Sequence, residues 1–218
     1  MKILLVYPEY PDTFWSFKHA LNMILKKSAL PPLGLLTIAA MLPSEWEKKV
    51  VDMSVSKLKD RDILNADYIF ISAMVVQRDS TRQTINRVHA LGKKVVAGGP
   101  LFTTEREEFD DVDYLILDEA EVTLPQFLID FENGSLKHVY TSTERPEITA
   151  TPVPDWSLIN MNKYSAMSIQ YSRGCPFDCD FCDIIILNGH KPRTKSAPQF
   201  IRELDAIYNR GWRGAVFV

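Results

Sequence analysis

Tyr68-Ile69-Phe70-Ile71-Ser72-Ala73 is a short, unbroken apolar run, and its reading decides the fold. A strand with one wet face alternates apolar and polar residues; a continuous run marks a strand buried on both faces, as in a parallel sheet covered by helices. Working outward, residues 3–7, 49–53, 95–97 and 114–117 read the same way. Helical patterns lie between them. Residues 34–42 stop at Pro43, residues 81–91 end at Gly92, and residues 124–131 end at Asn133-Gly134. Strand and helix alternate through the first 135 or so residues, which predicts an α/β fold with a doubly wound parallel sheet. No internal repeat is visible.

The totals agree with a packed protein. The chain has 218 residues, of which 46% are hydrophobic, and a net charge of −3. That balance offers no basic face for nucleic acid. No run of about 18 apolar residues exists, so no transmembrane helix is expected. The first residues, Met1-Lys2-Ile3-Leu4-Leu5-Val6, read as a strand rather than a signal peptide, which points to the cytoplasm.

Three segments follow from the rhythm of the chain: an α/β domain over residues 1–135, a linker over 136–165, and a second unit over 166–218. The linker is rich in turn residues, including Thr151-Pro152-Val153-Pro154, and carries Trp156, an aromatic placed to dock on a neighbour. The second unit reads as strand, cysteine loop, helix (residues 197–209) and strand (215–218). Such a piece cannot bury its own faces, so the chain reads as part of a longer protein.

All three cysteines fall in Ser172-Arg173-Gly174-Cys175-Pro176-Phe177-Asp178-Cys179-Asp180-Phe181-Cys182. An odd, clustered set is not a disulfide framework. Iron–sulfur clusters usually take four thiolates. Three close thiolates can hold three irons of a cubane and leave the fourth open to a bidentate amine and carboxylate. A zinc site with His190 as a distant ligand lacks the second cysteine pair such sites use. A Cys179–Cys182 dithiol would leave Cys175 without a role. A [4Fe-4S] cluster accounts for all three.

The spacing C-x3-C-x-aromatic-C after a strand resembles the radical S-adenosylmethionine (SAM) superfamily. The segment Ser168 to Pro176 is similar to the subgroup with an N-terminal cobalamin-binding domain. Pro31-Pro32-Leu33-Gly34-Leu35, Gly98-Gly99-Pro100 and Glu119-Ala120-Glu121 match that domain's pattern. Among members, the chain resembles the hopanoid methylases, and more loosely the anaerobic magnesium-protoporphyrin cyclases. The resemblance implies a Rossmann/flavodoxin-like, cobalamin-binding domain followed by the start of a radical SAM partial TIM barrel.

It also implies chemistry. In the family, the reduced cluster cleaves SAM to a 5′-deoxyadenosyl radical that takes hydrogen from an unactivated carbon, and in methylating members cobalamin delivers the methyl group. The expected cluster ligands are Cys175, Cys179 and Cys182, with Phe181 beside the cofactor. Ser72, Gly98, Gly99, Glu119 and Glu121 would contact cobalamin, because open α/β sheets bind ligands beyond the carboxyl ends of their strands. The glycines would let a corrin approach the backbone. The expected partners are a hydrophobic small-molecule substrate and an electron donor such as a flavodoxin or ferredoxin. The alternatives are an oxidative cyclase of the same layout and a cobalamin-binding module without catalysis. Two departures stand out. Asp52-Met53-Ser54 follows the second strand where many cobalamin proteins have Asp-x-His, so cobalamin is expected without a protein histidine ligand. Asp118 stands where relatives often have glycine, a change that either alters only the turn or crowds the tail pocket. The acidic run from Glu105 to Asp113 reads as solvated surface, the basic stretch Lys191 to Lys195 as a plain loop by default or as a contact to the SAM carboxylate or the other domain, and Phe14, Trp15 and Phe17 as a core, interdomain, substrate or corrin edge.

Overall fold

The structure, a computed structural model, describes residues 1–13 and 18–218. Phe14, Trp15 and Phe17 lie outside the described residues. The elements run β1 (Lys2–Tyr7), α1 (Lys18–Met23), α2 (Leu33–Met41), β2 (Glu47–Asp52), α3 (Asp60–Leu64), β3 (Tyr68–Ser72), α4 (Arg78–Ala90), β4 (Lys94–Gly98), α5 (Pro100–Thr104), β5 (Tyr114–Ile116), α6 (Ala120–Glu132) and β6 (Val139–Tyr140). They continue with β7 (Met167–Ser168), β8 (Ser172–Arg173), α7 (Ile184–Asn188), β9 (Arg193–Thr194), α8 (Ala197–Asn209) and β10 (Val216–Phe217).

Strands β1 to β6 form one parallel sheet in the order β2-β1-β3-β4-β5-β6. The fold is α/β and doubly wound, as the apolar runs predict. Period-two geometry explains why those runs had to be continuous. Leu4, Val6, Ile69, Ile71, Val95 and Ala97 point to one face and pack with Ile85 and Val88 of α4 and Leu101 and Phe102 of α5. Their neighbours Ile3, Leu5, Phe70 and Val96 point to the other face and pack with Leu35 and Ala39 of α2 and Leu124 and Phe127 of α6. The chain reverses direction across the sheet between β1 and β3, so the carboxyl ends there splay into a crevice, the usual ligand position in such sheets.

The sheet gains a strand that the sequence reading left in the linker: β6 pairs with β5 through Val139 and Tyr140. Two residues flanked by polar neighbours give no periodic signal. The segment after it is also packed. Trp156, Met161 and Tyr164 are buried in a third cluster with Leu36 of α2, Met167, Ile169 and Ile207 of α8. The docking expected of Trp156 is therefore observed, and the cluster ties the sheet's α2 side to the unit that carries the cysteines. Tyr164 strengthens that tie: its hydroxyl donates to Oδ2 of buried Asp52 at 3.0 Å, across 112 residues of chain. Beyond it, β10 pairs with β7 and β9 with β8 as two short separate ladders.

Candidate functional site

A cavity of about 370 Å³ lies beyond the carboxyl ends of β3, β4 and β5. Its size falls within the roughly 300–1,000 Å³ common for small-molecule sites. One wall comes from the sheet domain: Ser72, Gly98, Gly99, Glu119 and Glu121 all line it, beside Tyr7, Gly34 and Thr37. The other wall comes from the cysteine unit: Gln170, Arg173, Leu187, Asn188 and Lys195. The structure thus brings together the five sequence-predicted residues of the sheet edge.

Each of them is also engaged by the protein itself. A Cβ on Gly98 would meet the backbone oxygen of Ile116 at 2.5 Å, and one on Gly99 would meet Ser72 Oγ at 2.8 Å. These glycines are demanded by neighbouring strands of the protein, and Gly99 also holds φ at +94° to open α5, with Pro100 as the first helical residue. Gly34 is the reverse case. It lines the cavity, yet a Cβ there meets nothing within 4 Å.

Glu119 and Glu121 are engaged by arginines. Glu119 occupies the N-cap position of α6, without a side-chain capping bond, and Glu121 sits in its first turn, where the helix dipole favours carboxylates. Arg173 donates to Glu121 through both terminal nitrogens, at 2.9 and 2.8 Å, and to Glu119 Oε2 at 2.9 Å. Arg193 donates to both oxygens of Glu119, at 3.0 and 2.6 Å. Thr151 Oγ1 adds a bond to Glu121 at 2.6 Å. Burial would raise the Glu121 carboxyl, but Arg173 and Thr151 overcome it and hold it below the usual carboxylate range. A ligand in the cavity therefore meets carboxylates already neutralised.

The basic stretch after the cysteines follows the domain-contact alternative rather than the plain loop. Arg193 is buried on Glu119, and Lys195 is buried on Glu203 of α8 at 2.5 Å. Their partners lie in other elements, so local sequence could not show them. The acidic run is closer to its reading, though several members pair with α4: Arg78 with Glu105, Arg82 with Asp111, and His89 with Asp113.

The cysteine loop spans the turn between β8 and β9. Gly174, with φ +91°, starts it, and a Cβ there would meet the Lys191 backbone oxygen. The Cys175 amide donates to Gly189 O at 3.1 Å, and the Cys182 amide to Cys179 O at 3.0 Å. All three thiols are free, Cys179 exposed and the other two half-buried. The donor set suits iron: three thiols in one loop, none spent on a disulfide. Among the described residues, however, no three His, Cys, Asp or Glu side chains gather closely enough to hold a metal ion. Phe181 is 92% exposed and Phe177 70%, and neither lines the cavity. Phe181 stays in the cysteine loop next to Cys182, outside the cavity lining.

The second strand's end also has a defined role. Asp52 accepts from the Ser54 amide at 2.9 Å and from Tyr164. Burial raises its carboxyl to about 6, against the pull of those hydrogen bonds. Tyr7, on the cavity wall, shares a hydroxyl contact of 3.0 Å with Tyr10, and burial raises its phenol further. Sequence reasoning missed Gln77, fully buried. Its side chain donates to Pro8 O and accepts from the Met74 amide, stapling the loops after β1 and β3 at the cavity's rim.

Residues 23–128 match the family model of the B12 binding domain. The chain is 46% identical to an uncharacterized methyltransferase of Synechocystis sp., over all of this chain and 41% of that protein. It is 36% identical to the hopanoid C-2 methylase of Rhodopseudomonas palustris, over 99% of this chain and 42% of that protein. The match to the B12 binding domain covers residues 23–128, and the likeness to these two relatives extends over nearly the whole chain. The chain spans about two fifths of the length of these curated relatives. The fold is similar to that of the radical S-adenosylmethionine methyltransferase TsrM from Kitasatospora setae, solved with cobalamin and a [4Fe-4S] cluster bound. There the TM-score is 0.59 at 13% identity, over 96% of this chain and 47% of that one.

The two departures from the cobalamin-domain pattern noted in the sequence now have geometry. No histidine is among the described residues that line the cavity: His89 and His138 contact Asp113, and His190 lies by Asp178 in the cysteine loop. Asp118 lines the cavity and adopts φ +61°, where glycine is usual. Its carboxylate accepts from Thr141 Oγ1 at 2.6 Å and from the Ser142 amide at 3.1 Å, which holds the strained turn. Among the described residues, no helix is long and apolar enough to cross a membrane.

Proposed function

We propose that this chain is the cofactor-handling part of a cobalamin-dependent radical SAM methyltransferase that acts on an unactivated carbon of a hydrophobic substrate. The observation that carries the reading is the shared cavity. Strand ends typical of ligand sites form one wall, and the unit carrying the three free thiols forms the other. In this reading the cavity takes a corrinoid without a protein histidine on cobalt. Gly98, Gly99 and Ser72 shape its floor, and the apolar wall excludes water. Cys175, Cys179 and Cys182 give three thiolates to a [4Fe-4S] cluster whose open iron takes SAM. Bound together, those groups would supply radical formation and methyl delivery. A flavodoxin or ferredoxin would provide the electron, and the protein would work in the cytoplasm.

Gly34 supplies a clean test, because it lines the cavity and a Cβ there meets nothing within 4 Å. Hydroxocobalamin titration, followed by visible absorption, should saturate near one equivalent. Gly34→Trp should fold normally and weaken binding by about tenfold or more, since a well-packed site cannot absorb an indole. No binding to the wild-type protein, or equal binding to the variant, would remove the corrinoid from this cavity.

A further inference from the structure

Arg173 and Arg193 stand directly opposite each other where β8 pairs with β9, and every cysteine lies between them. Like charges facing across an antiparallel pair repel. Among the described residues, no carboxylate within the hairpin pairs with either arginine. The offset comes from Glu119 and Glu121, 52 to 74 residues earlier, at the N-terminus of α6. All four side chains are largely buried: 12% exposed for Arg173, 6% for Arg193, and 3% and 4% for the two glutamates. Arg193 reaches further, donating to Asn188 O and Pro146 O, and Arg145 donates to Ile186 O. The base of the cysteine loop and its flanking helix α7 are thereby held to the edge of another unit.

We propose that Glu119 and Glu121 act through Arg173 and Arg193 as a positioning clamp that sets the cysteine loop by the occupancy of the cavity. The inference rests on the reading that the cavity takes a corrinoid. Glu119, Glu121 and Arg173 are themselves cavity walls, so a bound ligand packs against the clamp from one side while the loop hangs from the other. A ligand that orders the wall favours the closed clamp, and by linkage a closed clamp favours the ligand. Glu121 is the sensitive member, because both of its oxygens are committed to one guanidinium that lies two residues before Cys175. A bidentate fork fixes orientation as well as distance, which lysine cannot reproduce.

Amide hydrogen exchange over residues 172–194, in the metal-free protein with and without hydroxocobalamin, tests this without any cluster. Wild type should show the segment slowed several-fold by cobalamin. Glu121→Gln leaves Arg173 short of charge in a buried place and should speed basal exchange there by about tenfold or more. It should also abolish the cobalamin-dependent slowing while strands β1 and β3 keep their protection. Arg173→Lys keeps the charge and should restore basal protection only in part. Equal exchange in wild type and Glu121→Gln would overturn the clamp. So would a Glu121→Gln loop that still slows with cobalamin. If wild type binds no cobalamin, the corrinoid reading fails and with it the coupling, whereas faster basal exchange in the variant would still leave the hairpin's dependence on Glu121 standing.

Discussion

The sheet and the cysteine hairpin are held by opposite means. Strands β1, β3, β4 and β5 sit between two apolar layers, and most of their side chains are wholly buried. The hairpin of β8 and β9 contributes two ladder positions, and its own residues include two facing arginines. Its stability is borrowed from carboxylates on a helix of the sheet domain. Apolar burial is additive and forgiving of direction, so it suits a scaffold. Buried charge pairs are directional and fail when one partner goes, so they suit a place where position matters more than strength.

The comparison can be broken from either side, and the effects should differ in reach. Phe127, 1% exposed, packs edge-on against Phe70 and Tyr140. Phe127→Ala should cost about 4 kcal/mol and lower the unfolding midpoint of the whole protein, measured by chemical denaturation. Gly174→Ala sits at φ +91° against the Lys191 carbonyl, so it should cost about 3 kcal/mol. That loss should be local: hydrogen exchange rises in residues 172–194 and stays unchanged in β3. Global destabilisation by Gly174→Ala would show that the hairpin is part of the scaffold after all.

Asp52 sharpens the same contrast within the sheet domain, because it is a buried carboxylate without a cationic partner in its hydrogen bonds. Its folded pKa, about 6, lies above the ordinary value of 3.8. The native state therefore holds the proton more tightly than the unfolded chain between those values. Stability contributed by this group is present at low pH and lost as pH rises through about 6. Asp52→Asn keeps an acceptor for Ser54 and Tyr164, and should raise stability by about 2 kcal/mol near neutral pH. At a pH of about 4 the gain should vanish. A gain that persists in acid, measured by urea unfolding at both pH values, would assign the effect to packing instead.

How much of this was legible follows from the same division. The parallel sheet could be read because residues such as Ile69, Phe70 and Ile71 face two apolar layers in turn and leave an unbroken signal. The sheet-edge residues could be read because strand ends and a Gly-Gly-Pro turn locate the crevice. The strand at Val139–Tyr140 was too short to announce itself. The burial of Arg193 and Lys195 was invisible because their partners, Glu119 and Glu203, come from the N-cap of α6 and from α8. For the same reason Glu119 and Glu121 were read as ligand contacts: a carboxylate pair beside a crevice looks free until the arginines opposite are placed. Gln77 gave no signal at all, since a lone glutamine before a helix looks like surface.

The central claim is that the corrinoid cavity and a SAM-binding cluster share this chain. Its most direct test is electron paramagnetic resonance of the anaerobically reconstituted, reduced protein, recorded with and without SAM. The account predicts a [4Fe-4S] signal that shifts when SAM is added and disappears in Cys179→Ala. A protein that takes up no iron–sulfur cluster, or whose signal ignores SAM, would contradict it and leave a ligand-binding α/β domain beside three idle thiols.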